Sequence, residues 1–221
     1  MKLLLEALIK FACGLLLVGL LLFLPAGTLR YTYGWFLISL LFVPMLIAGF
    51  VMLFKSPEFL KKRLDAKEKQ GTQKGVVAFS GLMFIAGFVV AGLDYRFGWS
   101  VMPAWVVIAA LVLFLIAYAL YAEVMRENVY LSRTIKVEEG QKVVDTGLYG
   151  IVRHPMYAVT ILLFLMIPLV LGSWYALIVF AFYPVIIIVR LKDEEALLTR
   201  ELPGYAAYIK KVRYRIIPFI W

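Results

Sequence analysis

Two short polar segments hold the residues whose types and spacing suit chemistry. The first, Asp145–Tyr157, reads D-T-G-L-Y-G-I-V-R-H-P-M-Y, and the second, Arg190–Tyr208, reads R-L-K-D-E-E-A-L-L-T-R-E-L-P-G-Y-A-A-Y. Arg153 and Arg190 carry planar guanidinium forks suited to bidentate grip of a carboxylate. His154, Glu194 and Glu195 are candidates for taking a proton from a thiol or an amine. Gly147 and Gly150 permit close backbone approach. Pro155 suits the first turn of a helix, where its missing N–H costs nothing, and the free N–H groups that follow can hold a carboxylate. Arg190 and Glu194 stand four residues apart, a pairing distance on one helix. Each segment also has a plainer reading. The first is then a loop and helix start with Arg153 and His154 as interfacial anchors, and the second an amphipathic helix lying on the headgroups along Leu191, Leu198 and Leu202.

The elements that position these segments cross a membrane. The chain is 64% hydrophobic, where soluble domains are nearer half apolar. A spanning helix needs roughly 20 apolar residues, and four runs qualify: Leu3–Leu24, Gly34–Phe54 with Pro44 inside it, Val76–Leu93 and Val101–Tyr121. The first run is long enough to stay as a helix and has no small-residue cleavage site, so no secretory signal is expected. A fifth apolar stretch, Pro155–Val189, is too long for one span and is interrupted at Gly172–Ser173, which predicts a short helical hairpin. The fold expected is an all-α polytopic bundle: four spans, a C-terminal hairpin and a cytoplasmic C-terminal helix. Residues 1–121 then form an N-terminal four-helix region, and residues 122–221 form the site.

Charge sets the orientation. Lys55–Lys74 holds seven Lys or Arg, Ala122–His154 five and Arg190–Trp221 seven, whereas Pro25–Tyr33 and Asp94–Ser100 hold one each. The positive-inside rule makes the three rich segments and both termini cytoplasmic. Trp35, Trp99 and Trp174 fall at the opposite ends, as an aromatic belt does. The Lys55–Lys74 segment reads as a solvated orientation signal. The net charge of +9 is attributed to this asymmetry and to anionic lipid headgroups, with no nucleic-acid partner. One Cys, Cys13, and one His exclude a disulfide framework and a multi-Cys metal centre; no metal is expected.

Because the two polar segments bracket one hairpin, they emerge on one face. A shared pocket of Arg153, His154, Tyr157, Arg190, Glu194, Glu195, Tyr205 and Tyr208 follows, between helices of a bundle where ligand sites are common.

The run G-L-Y-G-I-V-R-H-P-M-Y, a hydrophobic hairpin, then R-x-x-x-E-E and G-Y-x-x-Y ending in I-I-P, resembles the isoprenylcysteine carboxyl methyltransferases and the related phospholipid methyltransferases. The resemblance covers roughly Val144–Trp221; the first four spans match only in being hydrophobic. The Gly147-Leu148-Tyr149-Gly150 run lacks the G-x-G of the phospholipid type and is closer to the prenylcysteine type. No G-x-G-x-x-G appears, so a Rossmann cofactor site is not expected. The resemblance implies S-adenosylmethionine as methyl donor. It implies a cofactor pocket lined by Tyr149, Arg153, His154, Pro155 and Tyr157, with Glu194 and Glu195 across from them and Tyr205 and Tyr208 nearby. Arg190 or Arg153 then holds a carboxylate acceptor, while a thiol or amine acceptor needs a base; the sequence does not choose. The acceptor expected is a lipidic small molecule. It arrives laterally from the bilayer through an opening between the hairpin and the helix end at Tyr121–Arg126, with Arg126 or Arg190 at the polar end. Two other classes stay open: an NADPH-dependent membrane reductase of the steroid-reductase type, and a non-enzymatic membrane protein.

Overall fold

The computed structural model describes residues 2–64, 71–132, 134–135 and 137–221. Among these residues the secondary structure is helical throughout, with no strand. In chain order the α-helices are α1 (Lys2–Ala26), α2 (Thr32–Lys55), α3 (Pro57–Leu64), α4 (Gly71–Phe97), α5 (Ala104–Glu127), α6 (Pro155–Val170), α7 (Trp174–Phe180), α8 (Tyr183–Glu201) and α9 (Tyr205–Lys211). A single 3₁₀ turn, Gly147–Gly150, precedes α6.

Five helical stretches are long and apolar enough to cross a membrane: α1, α2, α4 from Gln73, α5, and α7 with α8 taken together. The shorter apolar α6 stands beside them. Four of the five fall on the four apolar runs of the sequence. The chain is thus an all-helical, multi-pass integral membrane protein. Leu5, Leu16, Leu20, Phe54 and Ile108 stay exposed on the outside of the bundle, a surface that suits acyl chains and would be a liability in water.

Small residues let the helices close. α1 packs along α4, and a Cβ on Gly92 of α4 would stand 2.5 Å from the Leu22 carbonyl oxygen. A Cβ on Gly87 would stand 2.4 Å from the Phe180 ring of α7. Such close backbone approach is the usual device where lipid is as apolar as the side chains and burial supplies no drive between helices. The aromatic rings of Phe84, Phe88, Phe164, Phe180 and Tyr183 fill the centre.

The end of the bundle near Gly172 is sealed by a polar knot. Asp94, buried at the end of α4, accepts from the hydroxyls of Ser173 and Ser100 and, at 2.8 Å, from the Ser100 N–H. Ser173 also caps α7 by accepting from the Ala176 N–H at 3.0 Å, and Tyr31 donates to the Leu171 carbonyl at 2.6 Å. The turn falls where the sequence breaks, with Gly172 in the left-handed region at φ 72°.

Two expectations change here. The second arm of the hairpin does not stop at Val189. α7 and α8 together run 28 residues, Trp174–Glu201, because the charged run after Val189 keeps the helical period while losing apolarity. The Lys55–Lys74 segment is not simply solvated. Its described parts are helical, with Leu60 of α3 and Gln73 of α4 buried; Asp65–Gln70 lie outside the described residues.

Candidate functional site

The site begins with the local chemistry of the R-H-P segment. Arg153 and His154 are almost wholly buried. Their backbone N–H groups donate to the carbonyls of Tyr214 and Arg215, each at 2.8 Å, so the C-terminal tail is sewn to the loop before α6. The Arg153 guanidinium completes the seam. Its Nε donates to Glu195 Oε1 at 2.7 Å, and its Nη1 donates to the Val212 and Arg213 carbonyls at 2.9 and 2.8 Å. Arg215 donates to the other Glu195 oxygen at 2.9 Å, and His154 Nε2 lies 3.3 Å from Oε1. Buried ions persist when paired and fully hydrogen-bonded; Glu195 is here a hub for three nitrogen-bearing side chains.

The adjacent Glu194 does something else. One position on, it turns away from the hub and accepts from the Tyr157 hydroxyl. That hydroxyl accepts from Arg190 Nε at 3.1 Å. Arg190 Nη1 donates to Gln73 Oε1 at 3.1 Å, and Gln73 Nε2 donates to Asp193 at 2.8 Å. The polar chain therefore runs through α4, α6 and α8.

The Gly-marked turn is held from both sides. Glu127, last residue of α5, accepts from the Leu148 N–H at 3.1 Å and the Thr146 hydroxyl at 3.0 Å. Gly147 sits over it at φ 48°, where a Cβ would lie 2.1 Å from the carboxylate. Asn128 donates to the Tyr149 hydroxyl at 3.0 Å, and Tyr208 of α9 donates to the Tyr149 carbonyl at 2.7 Å. Lys211 pairs with Asp145 at 2.6 Å and holds its carboxyl below the ordinary value. Burial pushes the Tyr149 phenol up to about 12 against the opposing pull of Asn128, and burial also raises Tyr205 and Tyr208. All three phenols are therefore neutral at physiological pH.

These elements line an open cavity of about 1200 Å³, above the usual range of roughly 300–1,000 Å³ for a small-molecule pocket. Its two ends differ. One is polar and is lined by Asn128, Ser132, Thr134, Tyr149, Arg153, His154, Glu194, Tyr205 and Tyr208. The other is apolar and runs between the helices along Phe11, Phe42, Met45, Phe84, Leu163 and Ile186. Along α8 the wall passes from Ile186 and Ile187 through Arg190 to Glu194, so Arg190 stands where the two ends meet.

Of the residues predicted from sequence, Tyr149, Arg153, His154, Tyr157, Arg190, Glu194, Tyr205 and Tyr208 line this cavity; Pro155 and Glu195 are buried behind its wall. Arg126 is not part of it: its side chain is 73% exposed and pairs with Glu123. The helix-start anion site also narrows, since the Tyr157 N–H closes onto the His154 carbonyl at 3.0 Å. Sequence reasoning missed Gln73, Arg63, Glu127 and Asn128. Gln73 had a slight signal, one of two amides among the Lys residues flanking a span. Glu127 had none, because its partner loop is some twenty residues away.

A search of the curated proteins found no match. Residues 102–200, covering α5 through nearly all of α8 and ending before α9, match the model of the isoprenylcysteine carboxyl methyltransferase (ICMT) family. Over the span that carries most of the cavity's polar wall, this membrane protein is therefore similar to the isoprenylcysteine carboxyl methyltransferase family.

Proposed function

We propose that the chain is a membrane methyltransferase that uses S-adenosylmethionine to methylate a lipidic or prenylated acceptor, with a carboxylate as the favoured acceptor group. The observation that carries this reading is the single cavity with one polar end and one apolar end, joined at Arg190. A polar donor and a lipid-tailed acceptor need such a pair of compartments, opening to different phases.

The polar end fits S-adenosylmethionine. The Glu194 carboxylate on its wall suits an ammonium, a sulfonium or ribose hydroxyls. The aromatic faces of Tyr149, Tyr205 and Tyr208 suit a purine, and the Tyr205 hydroxyl is buried without a hydrogen-bond partner. When bound, this cofactor supplies an electrophilic methyl group. The chain's own residues then align and shield. Tyr157 fixes Arg190 on one side and Glu194 on the other, and Arg190 is the group suited to hold an acceptor carboxylate at the junction. Such an acceptor needs no base, so the work left to the protein is proximity and exclusion of water. Glu195 acts behind the wall as a positioning residue that holds Arg153 in it, and the basic end of the bundle is assigned to the cytoplasm.

The test is the thermal stability of detergent-purified protein with S-adenosylmethionine, S-adenosylhomocysteine or NADPH, since a ligand stabilises the state that binds it. Stabilisation by the first two and not by NADPH is expected. Stabilisation by NADPH alone overturns the reading in favour of a reductase.

A further inference from the structure

We propose that Arg63 forms an anion-binding subsite at the membrane-surface edge of the cavity, occupied by the phosphate head of a lipid whose tail lies along α1 and α2. This subsite opens into the apolar end of the same cavity, but lipid binding there does not depend on the methyl-transfer reading.

The argument starts from charge pairing. At this end of the bundle Lys10, Lys62, Arg153 and Lys211 each meet a carboxylate. Arg63 meets none among the described residues. Its Nη2 donates to the Tyr121 hydroxyl, its guanidinium lies 5.7 Å from the centre of the same ring, and its Nη1 is buried with no hydrogen-bond partner. A phenol and a ring face orient a guanidinium without neutralising it. The charge and one donor are left over, and a buried donor without a partner is unusual enough to need a reason.

The surroundings say what class of anion fits. Arg63 lines the cavity beside Leu60 and Leu64 of its own helix, Leu53 at the end of α2 and Phe11 of α1. Lys10 lines it as well and donates to the Leu64 carbonyl at 2.8 Å, which brings a second cation to within one residue of Arg63. A guanidinium without a carboxylate partner at the rim of an apolar slot suits an anionic head on a hydrocarbon tail better than a free hydrophilic ion, and Lys10, though paired with Glu6, adds a donor nearby. A guanidinium fork matches the paired oxygens of a phosphate, and cations at the membrane surface draw anionic lipid. An offered phosphate gives the idle Nη1 an acceptor after a small rotation of the guanidinium, while Tyr121 keeps the stem in place.

Native mass spectrometry of the full chain in a neutral detergent tests this. The ligands are phosphatidylglycerol and phosphatidylcholine with identical tails, and glycerol phosphate serves as a tail-less competitor. The wild type is expected to hold phosphatidylglycerol in preference, and Arg63→Gln to weaken that preference by roughly tenfold, the scale of a lost hydrogen bond to a charged group. Arg63→Lys keeps the charge without the fork and is expected to fall between, a result that stands on its own if Arg63→Gln does not fold. Arg126→Gln removes one exposed positive charge elsewhere and is expected to change nothing. Equal binding of the two lipids, an Arg63→Gln variant as selective as the wild type, or an equal loss in Arg126→Gln overturns the proposal. Displacement of the lipid by millimolar glycerol phosphate would reduce the subsite to a simple anion site and overturn the lipid assignment.

Discussion

Arg190 on α8 donates to the hydroxyl of Tyr157 on α6 at 3.1 Å. The bond crosses between the two arms of the C-terminal hairpin at the point where the cavity changes from apolar to polar. It ties the residue suited to an acceptor carboxylate to Glu194, the carboxylate one turn further along α8. Tyr157→Phe keeps the ring and removes both hydrogen bonds. Donor affinity is expected to fall by about 1–3 kcal/mol, the scale for bonds to charged partners. Calorimetric titration with S-adenosylhomocysteine checks it; an unchanged Kd would detach Tyr157 from the site.

Adjacent glutamates should separate cleanly. Glu195→Ala strands the buried Arg153 together with Arg215 and is expected to cost about 3–5 kcal/mol of stability, as for other broken buried pairs. Because the seam to Tyr214 and Arg215 depends on it, the tail should also become sensitive to protease. Glu194→Ala should leave stability nearly unchanged and weaken donor binding. Thermal unfolding and titration of both variants decide the matter, and identical profiles would refute the division of labour.

Gly147→Ala places a Cβ against Glu127 at a backbone angle that L-residues avoid. A loss of donor affinity through a displaced Tyr149 turn is expected. If crowding by Glu127 is part of the cause, the double variant Gly147→Ala with Glu127→Ala will lose less than the sum of the single changes. Strict additivity would leave backbone strain as the whole effect.

Orientation is tested with single cysteines in a Cys13→Ser background. A cysteine at Lys142 or Lys211 should react with a membrane-impermeant reagent from the cytoplasmic side, and one at Val101 from the other. Labelling of all three from one side would remove the assignment.

The spans were legible because twenty apolar residues leave few alternatives in a chain of this composition. Arg153, His154 and Glu194 were legible because a hairpin forces its flanks together. What the sequence hid is non-local. Val189 marks the end of apolarity but not of α8, since a helix persists wherever its period does. Arg63 and Gln73 looked like members of a charge run, and only the packing of α3 and α4 brings Arg63 to the cavity and Gln73 to Arg190 and Asp193. Nothing local marks the backbone of Arg153 and His154 as partners of Tyr214 and Arg215.

The knot of Asp94, Ser100 and Ser173 closes one end of the bundle, and the cavity is confined to the other half of the helices. The molecule is therefore one-sided with respect to the bilayer. On the proposed function, a lipid is taken from and returned to the leaflet on the basic side alone. A modified lipid made here would accumulate asymmetrically, and its appearance in the opposite leaflet would report the rate of a separate flipping step.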